Sequence, residues 1–157
     1  MARTRTALIL ASALVVAVPL AAIALTLRNG TPVDHQRAIV KERASTTSSA
    51  EWTPVPGLAS TLVCAKGTVG ATLTVNLVGA PAQFRLHIDA GGLMAPELVH
   101  FDPTGGNRTF SATFVAKVGT WEGSDGHSFD LEWRSPSGRP VTLKRGTLDL
   151  LFGVGSC

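Results

Sequence analysis

The sequence has no tyrosine, only two cysteines, and aromatic residues at just 6% of its 157 positions. Each scarcity excludes something. Two cysteines as far apart as Cys64 and Cys157 do not make a thiolate metal centre, which needs about four ligands. Neither cysteine lies at the end of the apolar N-terminal run, so the lipid-modified cysteine of a bacterial lipoprotein is not available. The lack of tyrosine speaks against a broad aromatic platform for sugars. The chain contains no Gly-x-Ser-x-Gly elbow, no phosphate-binding Gly-x-x-x-x-Gly-Lys, no His-Glu-x-x-His and no dinucleotide fingerprint. It is also too short for a (β/α)₈ barrel, which takes about 250 residues.

The net charge of +3 hides an uneven distribution. Residues 1–51 hold six basic residues (Arg3, Arg5, Arg28, Arg37, Lys41, Arg43) against three acidic ones (Asp34, Glu42, Glu51). Residues 52–157 hold eight of each sign. A region without net charge has no electrostatic footprint for a polyphosphate, so nucleic acid is not an expected partner.

From Ala7 to Leu27 runs a stretch of 21 residues without a single charge. As a helix it would be about 31 Å long, close to the thickness of a bilayer core. Pro19 is tolerated in membrane helices. Arg3 and Arg5 precede the run and Arg28 closes it. Two readings compete: an uncleaved signal-anchor, and a secretory signal cleaved near Ala24. The anchor is favoured, because a signal peptide's apolar core is about 7–15 residues and this one continues past the candidate site to Leu27. The bilayer is therefore an expected partner of residues 7–27, with residues 1–6 as a short basic tail.

Residues 28–57 read as a juxtamembrane linker. Asp34 to Ala44 has good helix formers, with Asp34 as N-cap, but so few apolar residues that an isolated helix would be marginal. Ser45 to Ala50 is small and polar, and Pro54 and Pro56 impose extended backbone.

From Leu58 to Cys157 the hydrophobic period is two. Leu73, Val75 and Leu77 alternate with polar neighbours, as do Phe84, Leu86 and Ile88, then Phe110, Ala112, Phe114 and Ala116, then Phe129, Leu131 and Trp133. Such alternation marks strands with one packed face. Gly79-Ala80-Pro81, Asp102 to Asn107, Gly123 to Gly126 and Ser135 to Gly138 punctuate them with turn chemistry. The pattern predicts an all-β, antiparallel β-sandwich of seven or eight strands, immunoglobulin-like or jelly-roll, behind one N-terminal membrane or signal helix.

Cys64 falls in the first predicted strand and Cys157 ends the sequence; first and last strands of a sandwich are often neighbours, so a bridge between them would staple the C-terminus down. An exported domain makes that pairing the expectation.

The residues offering chemistry are few. His87 with Asp89, and His100 with Asp102, place imidazole and carboxylate on one strand face, a workable ligand set for a metal ion. Solvated sheet-face residues are the competing reading, and the preferred one. Asp130 and Glu132 share a strand face, with pairing to Arg85, Lys144 or Arg145 as their expected use. Trp121, Glu122 and Asp125 form a loop suited to a sugar or Ca²⁺. No cofactor is implied. The expectation is a non-catalytic interaction module, anchored in the cell membrane with its C-terminal domain outside and meeting an extracytoplasmic partner. The alternative is a secreted carbohydrate- or metal-binding domain.

Overall fold

The computed structural model describes residues 35–63, 65–89, 92–118 and 126–154. The apolar run at 7–27 lies outside them, and among the described residues no helix is long and apolar enough to cross a membrane.

Among the described residues ten strands follow in order. They are β1 (His35–Lys41), β2 (Ser45–Thr47), β3 (Thr53–Val63), β4 (Ala65–Gly79) and β5 (Ala82–Ile88). Then come β6 (Gly92–Leu93), β7 (Val99–Phe101), β8 (Arg108–Val118), β9 (His127–Arg134) and β10 (Val141–Val154). They form two five-stranded, wholly antiparallel sheets. The first runs β1-β10-β4-β8, with β2 also on β10; the second runs β3-β9-β5-β6, with β7 also on β5. The fold is all-β and sandwich-like.

Period-two alternation builds these sheets as the sequence implies. Along β5 and β9 buried and half-buried residues alternate without a break. Phe84, Leu86, Phe129, Leu131 and Trp133 from the second sheet meet Leu73, Leu77, Phe114, Leu148 and Leu150 from the first in one core. Each such side chain contributes about 1.5–3 kcal/mol on burial. Phe84 sits 5.6 Å from Phe101 and 6.0 Å from Trp133, ring centre to ring centre. Phe101 in turn stacks on Phe110 at 5.0 Å, linking the sheets through their aromatic edges.

The N-terminal part differs from the sequence reading. Residues 35–57, read as a linker in which a helix over Asp34 to Ala44 would be marginal, instead supply β1, β2 and the start of β3. β1 and β2 lie in succession along one edge of β10, where they pair with residues 146–152 and 141–143. An isolated helix there has too little apolar surface to persist, whereas the free edge of a long strand satisfies the backbone directly. Ile39 also packs on the core.

A second difference lies in β10. Its inward residues are Val141 and Leu143, then Leu148, Leu150 and Phe152, a change from odd to even positions. In sequence this looks like the end of one strand and the start of another. A bulge between Leu143 and Arg145 resets the parity, so one 14-residue strand keeps both halves facing inward. Gly146 follows the bulge because a Cβ there would come within 3.1 Å of Leu58 Cδ1 across the core.

Candidate binding face

The outward face of the second sheet carries an ordered polar network. Register decides who meets whom: Gln83 lies opposite Arg134, Arg85 opposite Glu132, and His87 opposite Asp130. Thr53 lies opposite the inward Trp133, so Trp52, one residue earlier, falls on the outward side with Arg134 and Glu132.

The side chains interlock. Arg85 donates Nε–H to Glu132 Oε2 at 2.6 Å, and His87 Nε2 lies 3.1 Å from the same oxygen. Arg134 donates Nε–H to Gln83 Oε1 at 2.8 Å. The guanidinium carbons of Arg85 and Arg134 lie 4.4 and 4.5 Å from the centre of the Trp52 ring. One indole thus holds two cations, each already fixed through Nε to a strand neighbour. At a partly exposed site each such contact contributes about 0.5–1 kcal/mol. Glu132 is the only carboxylate that either arginine contacts among the described residues. Of the two arginines, Arg85 is paired with Glu132, whereas Arg134 forms no ion pair among the described residues.

Sequence reasoning finds half of this. Pairing of Glu132 with Arg85 is as expected, but Lys144 and Arg145 belong to β10 in the other sheet. Trp52 escapes it because the residue stands at the presumed linker boundary. The available signal is that in-out alternation already starts at Trp52, Thr53, Pro54 and Val55.

The four residues read as possible metal ligands do not converge, and among the described residues no three His, Cys, Asp or Glu side chains form a metal-sized group. His87 is engaged by Glu132. Asp89, at φ +52°, accepts from Ser128 N–H at 3.1 Å through Oδ1 and meets His127 Nδ1 at 2.8 Å through Oδ2. With His127 only 4% exposed, that pair ties the end of β5 to the start of β9. His100 is exposed on β7, opposite Gln83. It stands four residues along β5 from the His87 position, about 13 Å away. Asp102 accepts from Thr104 N–H at 2.8 Å and from the Thr104 hydroxyl, a turn-closing arrangement. Those bonds, the hydroxyl first, hold its carboxyl below the ordinary aspartate value. Trp121, Glu122, Asp125, Cys64 and Cys157 lie outside the described residues.

The first sheet has a different outward face. Thr72 meets Thr113, Thr74 meets Ser111, and Asn76 donates to Thr109 at 3.1 Å. An open cleft of about 610 Å³ lies where β1 stops at the β10 bulge, bordered by Val40, Thr74, Asn76 and Arg145. Within it the side chains of Asn76 and Thr109 are hydrogen-bonded to each other.

Comparison with protein-family models gives no match, and none is found among curated proteins.

Proposed function

We propose that the protein is a non-catalytic interaction module, held to the membrane by residues 7–27 and presenting the outward face of its second sheet to an extracytoplasmic partner. The observation that carries this reading is the Trp52–Arg85–Arg134 arrangement. Tryptophan and arginine are the side chains that dominate binding energy at protein surfaces, above all where they are ordered before the partner arrives. Here strand register and Nε hydrogen bonds supply that order. The tether is argued from the uncharged run itself and from the short connection between Leu27 and His35. Seven intervening residues span at most about 25 Å, which keeps the edge of the first sheet near the bilayer surface. Compartment is argued from the two cysteines, whose flanking strands pair with each other.

The test is cross-linking in intact cells. A photoreactive residue at His100, exposed beside Gln83 on the same sheet, is expected to give discrete adducts, and one at Thr74 on the opposite sheet is not. A membrane-impermeant protease is expected to digest residues 35–157 while the N-terminal fragment stays with the membranes. Absence of adducts from His100 overturns the interaction face, and protection of the domain overturns the topology.

A further inference from the structure

Resting on the reading of this face as an interaction surface, we infer that the partner supplies a protein segment with a carboxylate side chain beside an aliphatic one. The carboxylate is received by Arg134 and Arg85. Both guanidinium groups are anchored through Nε and by the Trp52 ring. Among the described residues, neither makes a hydrogen bond from its Nη nitrogens. The unengaged ends are the bidentate fork that matches a carboxylate. Arg134 has only the neutral Gln83 as hydrogen-bond partner and forms no ion pair with an acid among the described residues. Two guanidiniums within 4.5 Å of one ring centre repel each other, and an incoming anion relieves that repulsion.

The aliphatic requirement comes from the far edge of the same sheet. Leu93, opposite His87 in β6, is 38% exposed, and Leu98, just before β7, is 43% exposed. From Trp52 to Leu93 the face crosses β3, β9, β5 and β6, three inter-strand steps or about 14 Å, and runs four residues along β5, about 13 Å, so the two lie about 19 Å apart. That is the width of an interface core, with an aromatic and cationic end and an aliphatic end. A saccharide acid would satisfy the arginines but leave the leucines facing hydroxyls. A peptide segment matches both ends.

The experiment uses the full chain in detergent micelles to select from a displayed library of random peptides. Enriched sequences are expected to carry Asp or Glu within a few positions of Leu, Ile, Val or Phe. A synthetic copy of the most enriched peptide is expected to lose at least about tenfold in affinity against Arg134→Gln, and equally when its own acid becomes the amide. Arg134→Lys, which keeps the charge but not the fork, is expected to lose affinity as well, and it decides the matter should Arg134→Gln fail to fold. Lys117→Gln, on the other sheet, is expected to bind as the parent does. The inference is overturned by enriched peptides without acids, by no enrichment, by undiminished binding to the folded Arg134 variants, or by tighter binding of trigalacturonate than of the peptide. In each of these cases adducts from His100 in cells still support an interaction face with another ligand class. Loss of those adducts sinks the face itself.

Discussion

Ala65 lies opposite Val154 in the first sheet. Cys64 is the residue before the former, and Cys157 lies three residues beyond the latter. Three residues reach at most about 10 Å and a disulfide needs Cα atoms about 5.5–6 Å apart, so this pairing is compatible in chain length with the bridge expected from the sequence, whose two cysteines lie outside the described residues. The native, unreduced protein is expected to show no titratable thiol. Two reactive thiols on denaturation without reductant count against the bridge. Closing so long a loop contributes about 4–5 kcal/mol in the chain-entropy account, so Cys157→Ser is expected to lower the unfolding midpoint measurably.

The strands at 35–47 are part of the folded body, and deleting them exposes one edge of β10. A chain starting at residue 52, near the boundary the sequence suggests, is expected to aggregate or unfold, while one starting at residue 35 folds. Size-exclusion chromatography and circular dichroism of the two fragments check this. An equally stable shorter fragment would return residues 35–51 to the status of a linker.

Trp133 and Phe84 touch each other at the centre of the core, with ring centres 6.0 Å apart. Truncating either to alanine is expected to cost about 3–5 kcal/mol in urea denaturation, because neighbouring strands cannot collapse into the space left.

Gly79 sits at φ +109°, and a Cβ there would lie 2.6 Å from the carbonyl oxygen of Pro140. That same oxygen accepts the Ala80 N–H at 3.0 Å, so it cannot withdraw without losing a turn hydrogen bond. Gly79→Ala is expected to destabilise by about 1–3 kcal/mol, the usual cost of such backbone strain. Gly138→Ala tests the φ term alone, since its φ is +68° but its Cβ would meet nothing within 4 Å. It is expected to cost less.

Asp102 titrates below its ordinary value of 3.8 because the Thr104 hydroxyl and N–H bind the charged form. A carboxyl with a lowered folded-state value stabilises the turn above its unfolded value. That contribution fades as pH falls through the folded one. The Thr104 amide resonance is expected to move with a midpoint below 3.8, and Asp102→Asn is expected to remove the transition. A midpoint at or above 3.8 contradicts the bond.

Much of the body is legible without coordinates, for a local reason. Phe84-Leu86-Ile88 and Phe129-Leu131-Trp133 declare their inward faces because side chains alternate along any extended strand. The turns at Gly79 and Gly138 declare themselves because glycine tolerates positive φ. β1 escapes because His35–Lys41 carries a weak pattern of its own and becomes a strand only beside β10. The unity of β10 escapes because a bulge reverses the apparent parity. The Trp52 site is half legible: that Arg85 and Glu132 attract each other follows from composition, but that Arg134 joins them over one indole does not.

Hydrophobic alternation and turn residues, both properties of a few consecutive positions, were thus enough to establish an all-β body made of antiparallel strands. Which strands became neighbours depended on pairings between residues up to a hundred or more positions apart, such as Arg37 with Leu150. Backbone hydrogen bonds in a sheet are indifferent to side-chain identity, so partner choice and register emerge only when the whole core closes. The same closure placed Trp52 beside two arginines, and with them the surface on which the proposed function rests.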